Sequence, residues 1–137
     1  MNLPTNQKTP RKKILFVDDE APTRELVSMH LRMKGFDVTT AMTAEEGRRW
    51  LGNEQFDLAV LDVDLAGENG MDLLAYAKSK VPTLPVIIFT GLKFDEELVQ
   101  EARGRGADGC MSKMQPLSEL AAEVNRLATN SGGAIAG

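Results

Sequence analysis

The sequence predicts an α/β fold in which a parallel sheet is covered on both faces by helices. Three observations carry this. Apolar runs of five or six residues (KILFV, FDLAVL, LPVIIF) are nearly continuous rather than alternating, as strands buried on both faces require. Segments with apolar residues at helical spacing lie between the runs, so the chain reads βα five times over. Most of the runs end in a charged residue or a hydroxyl, which marks one edge of the sheet as polar.

The elements follow in order. Lys13–Val17 is the first strand. Pro22 stands where a first helical turn tolerates proline. Leu26, Val27, Leu31 and Met33 follow at roughly helical spacing, and Gly35 closes that helix. Phe36–Thr40 is the second strand. Thr43 and Glu46 form a T-x-x-E capping box, and Gly47, Trp50 and Leu51 give the second helix its inner face. Phe56–Leu61 is the third strand, and Met71–Lys78 the third helix. Leu84–Phe89 is the fourth strand. Phe94, Leu98 and Ala102 mark the fourth helix, stopped by Gly104 and Gly106. Gly109–Ser112 is a short fifth strand. Pro116 opens the last helix, with Leu117, Leu120, Ala121, Val124 and Leu127 on its inner face. Right-handed crossovers leave few topologies for such a chain. Residues 1–12 read as a flexible lead-in, residues 13–128 as one domain, and residues 129–137, which are small and Gly-rich, as a tail or linker stump.

Composition narrows the function classes. The chain has 137 residues and a formal net charge of −4. A protein that holds nucleic acid by neutralising phosphates is normally basic, so direct nucleic-acid binding is not expected. A single cysteine, Cys110, excludes an internal disulfide and suits a reducing compartment. No apolar run approaches the roughly eighteen residues of a membrane span, and the N-terminus lacks the apolar core of a secretory signal. The expected location is the cytoplasm, without membrane insertion.

In a parallel sheet all strand C-termini lie on one edge, and ligands bind there. Asp18 and Asp19 follow the first strand, Asp62 the third, Thr90 the fourth and Lys113 the fifth. Three close carboxylates repel unless a cation neutralises them. A hard divalent ion with oxygen ligands is the natural solution, and Mg2+ suits a few carboxylates plus water and phosphate. A carboxylate is also a nucleophile toward phosphorus that needs no general base. The cation, the Lys113 ammonium and the Thr90 hydroxyl would then each take one phosphoryl oxygen.

Four motifs make the sequence recognisable: ILFVDDE (Ile14–Glu20), LAVLDVDLAGENG (Leu58–Gly70), VIIFTG (Val86–Gly91) and GADGCMSK (Gly106–Lys113). In this order and spacing the chain resembles the receiver domain of bacterial two-component response regulators, from about Lys13 to Leu127. The resemblance implies a flavodoxin-like, doubly wound (βα)5 fold with a five-stranded parallel sheet in strand order 2-1-3-4-5. It implies that Asp62 accepts a phosphoryl group from a sensor histidine kinase or a histidine phosphotransfer protein. Asp19 and Asp62 would bind Mg2+ directly, Asp18 mainly through water, and the Asp64 backbone carbonyl would complete the set; Mn2+ or Ca2+ would substitute. Thr90 and Lys113 would hold the phosphoryl group, and Gly70 matches the glycine eight residues past the acceptor. Output would pass to a downstream protein target, with a weak homodimer as a further partner. The chain would be a switch that assists its own phosphorylation and dephosphorylation, not an enzyme.

Four positions depart from the family pattern. Met114 follows Lys113 where proline, after a cis bond, is usual, so the aim of the lysine is open. Cys110 replaces an aromatic residue, and a thiol is too small to gate by rotation. Ala66 stands where proline is usual, and Asp64 adds charge at the site mouth. Two other readings compete. Asp62-Val63-Asp64 resembles the D-x-D motif of haloacid-dehalogenase phosphatases, although the acid pair Asp18/Asp19 comes first here. A pseudo-receiver that never meets phosphate is the other. His30 reads as a packing residue of the first helix, and Trp50, Phe36, Phe56 and Phe89 as core.

Overall fold

The structure is a computed structural model that describes residues 11–91 and 94–133. Most of the expected lead-in, and the tail from Ala134, lie outside the described residues. The elements run β1 (Lys13–Val17), α1 (Ala21–Met33), β2 (Asp37–Ala41), α2 (Ala44–Asn53), β3 (Leu58–Leu61), β4 (Asp64–Leu65), β5 (Glu68–Asn69), α3 (Gly70–Lys80), β6 (Val86–Thr90), α4 (Glu96–Gly104), β7 (Gly109–Ser112) and α5 (Leu117–Gly133). The main sheet is five-stranded and parallel, in the order β2-β1-β3-β6-β7. With the short β4–β5 hairpin set aside, this is the 2-1-3-4-5 order of the flavodoxin-like pattern.

Side chains alternate across the pleat and so divide the core in two. Ile14, Phe16, Leu58, Val60, Ile87 and Phe89 pack against α1 and α5 through Val27, Leu31, Leu120 and Val124. Leu15, Val17, Ala59, Leu61 and Ile88 pack on the other face with Leu51 of α2, Leu73 and Leu74 of α3 and Ala102 of α4. Both faces of β1, β3 and β6 are therefore dry, which explains their near-continuous apolar sequences.

Several local expectations shift. On α1 the buried residues are Val27, Ser28 and Leu31, whereas Leu26 is 57% and Met33 77% exposed. A helix offers its core one stripe roughly 100° wide, and Leu26, Met29 and Met33 share the opposite one. The α2 capping box forms: Thr43 Oγ1 accepts from Glu46 N–H at 3.0 Å, while Glu46 Oε1 accepts from Met42 N–H at 2.9 Å. Phe94 lies outside α4 and is exposed, because Asp95 caps that helix by accepting from Leu98 N–H at 2.9 Å. Trp50 and Phe56 pack at the margin of the core rather than inside it. The helix α5 continues to Gly133, past the tail boundary expected at Thr129, since Thr129 to Ser131 are weak helix formers and not stops. Among the described residues no helix is long and apolar enough to cross a membrane.

Candidate functional site

Parallel register assembles the site. Val17 pairs with Leu61, so the next residue of each strand, Asp18 and Asp62, leaves the sheet beside the other. Asp62 N–H donates to Val17 O at 3.0 Å and Asp18 N–H to Ala41 O at 3.0 Å, which locks both backbones. On the other side Thr90 pairs with Ser112, and Lys113 N–H donates to Thr90 O at 2.9 Å. Three strand ends thus deliver acids and a lysine to one point. Asp18 and Asp62 are buried, and Asp19 is half-buried.

The Lys113 ammonium sits among the acids. It lies 2.7 Å from Asp18 Oδ2, 3.0 Å from Asp62 Oδ2 and 3.3 Å from Glu20 Oε1. The Lys113–Met114 bond is trans, as no cis peptide occurs among the described residues. The loop is clasped instead by polar bonds. Met114 N–H donates to Ser112 Oγ at 3.0 Å, and Ser112 N–H donates to Gln115 Oε1 at 3.1 Å. The lysine is therefore aimed without the family's usual proline.

Electrostatics follow from burial and proximity. Burial pushes the Asp62 carboxyl up to about 6, against the opposing pull of its hydrogen bond and charge pairing with Lys113. Burial alone would lower the Lys113 ammonium, yet hydrogen bonds and charge from Asp18 and Asp62 hold it above its ordinary range. Glu20 is lowered by its hydrogen bond with Lys113.

One oxygen each from Asp18, Asp19 and Asp62 lies within 4.8 Å of the others. Three hard anionic donors this close fit a small divalent cation, and Lys113 alone under-compensates their charge. The cleft above them is lined by Asp19, Glu20, Asp62, Asp64, Gly91 and Lys113. Thr90 is fully buried at the end of β6, one residue before the cleft-lining Gly91. Asp64 is exposed at the rim, and its backbone N–H donates to Asp62 Oδ1 at 3.3 Å.

Gly70 explains itself sterically. A Cβ there would meet the Asp62 carbonyl oxygen at 1.9 Å, so α3 can start against the end of β3 only with glycine. Two participants were not picked out as site residues in the sequence. Glu20 shares Lys113; it stands in the ILFVDDE motif, and its place directly after the acid pair was the available signal. The Ala66 backbone N–H donates to Asp19 Oδ2 at 3.0 Å, and no side-chain pattern announces a backbone donor. Cys110 is half-buried against the α2–α3 side of the core, where burial pushes its thiol up, away from the reactive thiolate.

Comparison with known proteins agrees with this fold. Residues 14–125 match the model of the response regulator receiver domain. The transcriptional activator protein PfeR of Pseudomonas aeruginosa is 33% identical over 118 residues, covering 86% of this chain and 38% of that protein. The two-component response regulator PhoP of the same organism is 32% identical over 123 residues, 90% of this chain and 54% of its own length. The chain thus spans about a third to a half of these curated relatives. Among solved structures, a CheY-like response regulator receiver domain protein from Methanospirillum hungatei superposes with a TM-score of 0.84 at 29% identity, covering 89% of this chain and 97% of that one. The receiver domain of NtrX from Brucella abortus gives 0.79 at 30% identity, covering 85% and 98%. With the fold, the acid cluster and the lysine in place, the chain belongs to the family of response regulator receiver domains.

Proposed function

We propose that the protein is a phosphoryl-accepting switch of a two-component phosphorelay, with Asp62 as the acceptor. The observation that supports it most is the meeting of Asp18, Asp19 and Asp62 within 4.8 Å while Lys113 lies 3.0 Å from Asp62 Oδ2. An Asp62 carboxylate oxygen attacks the phosphorus of a phosphohistidine. The P–N bond breaks, its electron pair returns to the imidazole nitrogen, and an aspartyl phosphate remains. Asp19, Asp62 and the Asp64 backbone carbonyl would hold Mg2+, with Asp18 acting through water; bound there, the ion neutralises phosphoryl oxygens. Lys113 supplies a second positive charge, and the Thr90 hydroxyl a hydrogen bond, at the oxygens where charge accumulates. Receiver domains act as phosphoacceptor switches rather than turnover enzymes. The family match accordingly favours this reading over a D-x-D phosphatase.

The donor would be a helix carrying the phosphohistidine, from a histidine kinase or phosphotransfer protein. Such a helix must cover the cleft to reach Asp62. The exposed side chains Leu26 and Met29 on α1, which starts beside the acids, and Met114 beside Lys113 offer apolar contact there. Output passes to a protein target through a population shift of the surface around α4 and β7. With Cys110 in place of an aromatic, no ring rotation takes part.

The test is incubation with Mg2+ and a small acyl-phosphate donor, read by intact mass. Wild type should gain one phosphate and stop, and Asp62→Asn should gain none. Labelling of Asp62→Asn to the wild-type level, or sustained turnover of phosphate esters, would overturn the assignment. A kinase-dependent assay covers a receiver that rejects small donors.

A further inference from the structure

We infer that the β4–β5 hairpin, Asp64–Asn69, positions Asp19 through the Ala66 backbone amide and thereby sets the preference of the acid cluster for Mg2+ over Ca2+. This rests on the cation-binding reading above.

The three acids are not held alike. The Asp18 carboxylate accepts from Glu20 N–H at 2.9 Å and pairs with Lys113. The Asp62 carboxylate accepts from Asp64 N–H and pairs with Lys113. Asp19 is only half-buried, and the group that fixes it comes from another loop: Ala66 N–H donates to its Oδ2 at 3.0 Å. That contact leaves the second oxygen for an ion.

Ala66 presents this N–H from an unfavourable backbone. Its φ is +33°, and it is the single non-glycine residue at positive φ among the described residues. Such a conformation persists only where the surroundings over-determine it. Here they do. Leu65 is buried in the core, and Leu65 and Asp64 pair with Glu68 and Asn69. Glu68 Oε1 accepts from Ala44 N–H at 3.0 Å, at the start of α2, and Glu68 Oε2 lies 3.6 Å from Arg48. The hairpin is thus anchored on α2 at one end and on the core at the other, with its turn aimed at Asp19.

The consequence is selectivity. Mg2+ demands a near-ideal octahedron, whereas Ca2+ tolerates irregular geometry. A hydrogen bond that orients a ligating carboxylate is worth roughly 10- to 100-fold in metal affinity. Freeing Asp19 should therefore penalise Mg2+ more than Ca2+, while general loosening of the fold would weaken both together.

The experiment is calorimetric titration of the full chain with MgCl2 and with CaCl2. Three variants are compared with wild type. In the first, Ala66 is replaced by lactic acid, which exchanges the amide for an ester, removing the N–H and weakening the Leu65 carbonyl as an acceptor while keeping the side chain. Glu68→Ala releases the anchor. Ala66→Gly keeps the N–H and relieves the positive φ. The ester and Glu68→Ala should raise the Kd for Mg2+ about tenfold and that for Ca2+ less than about threefold, with Ala66→Gly at the wild-type ratio. An unchanged Mg2+/Ca2+ ratio in Glu68→Ala, and in the ester where it folds, overturns the inference. Wild type that binds neither ion and takes no phosphate overturns the proposed function as well. Wild type that binds both, with variants at its ratio, sinks the positioning role alone.

Discussion

The two ends of β1 carry the same chemistry with opposite consequences. At its start, Lys13 Nζ lies 2.6 Å from Glu54 Oε1, and the two side chains are 41% and 37% exposed. At its end, Lys113 Nζ lies 2.7 Å from Asp18 Oδ2, and these side chains are 16% and 0% exposed. The distances are equivalent, so length alone separates nothing. What differs is water. The first pair is screened and can part freely, and its net worth is small. The second has lost its hydration, so each charge depends on the others, and any change of charge in the cluster is felt by the rest. The phosphoryl-accepting role proposed above, in which one added group must be felt by its neighbours, suits the second kind of end.

The largest effect that would break this contrast comes from Lys113→Ala. Removing the ammonium leaves buried carboxylates facing one another. Metal-free stability at neutral pH should fall by about 3 kcal/mol, and labelling of Asp62 should slow by two orders of magnitude or more. Mg2+ should restore much of the stability, since it replaces the lost positive charge, but little of the labelling. Chemical denaturation with and without the ion checks the first, and intact mass the second. A variant as stable as wild type in chelator would mean that the two ends of β1 do not differ as argued.

Next in size is Asp62→Asn, which sharpens the contrast through pH. The folded Asp62 carboxyl sits at about 6 against an ordinary 3.8, chiefly because it is buried. It binds its proton more tightly in the folded chain than in the unfolded one. Its ionisation therefore works against folding: the stability it allows is complete in acid and is withdrawn as pH climbs from about 4 to about 6. In chelator, Asp62→Asn should be more stable than wild type by about 2 kcal/mol at pH 7, with the difference shrinking toward pH 4. A difference that stays flat with pH would show that Asp62 is hydrated like Glu54.

Most of this molecule was legible in its sequence, and what was not has physical reasons. The strands were readable because Ile14 to Val17 and Val86 to Phe89 are apolar on both faces. Asp18, Asp62 and Lys113 were readable because they terminate such runs, and the parallel fold then gathers them. The outward turn of Leu26 and Met33 was not, since apolar character does not say which of two stripes meets the core. The hairpin at Asp64–Asn69 was hidden because two-residue strands leave no periodicity. Lys113 reaches Asp62 through a loop clasped by Ser112 and Gln115, a matter of local hydrogen bonds that residue types do not specify. The Ala66 amide is invisible for the same reason, as every residue but proline has one.

A rim acid tests the contrast from within the reactive end. Asp64 shares the cleft with Asp62 but is exposed, so its charge should behave like that of Glu54. It repels an anionic small donor only through water. Asp64→Asn should speed labelling by an acyl-phosphate donor about two- to threefold at low salt, a gain that fades as ionic strength shortens the screening length. A gain that survives high salt would mean that the carboxylate acts inside the cleft rather than at its mouth.

The smallest effect expected is at the other end of β1. Lys13 also places its ammonium 5.5 Å from the Phe56 ring centroid, so Lys13→Ala removes an ion pair and a ring contact together. Both are solvated, and the loss should stay near 0.5 kcal/mol. It should shrink further in high salt if the charge pair is the main part. Glu54→Gln separates the two, since it discharges the pair and leaves Lys13 over the ring. Equal losses in the two variants would assign the contribution to the pair, and a loss in Lys13→Ala alone would assign it to the ring. Either outcome keeps this end of the strand structural, because neither Lys13 nor Glu54 is within reach of the acids that Lys113 joins. A loss approaching that of Lys113→Ala would instead show that exposure does not govern what a lysine–carboxylate pair is worth in this protein.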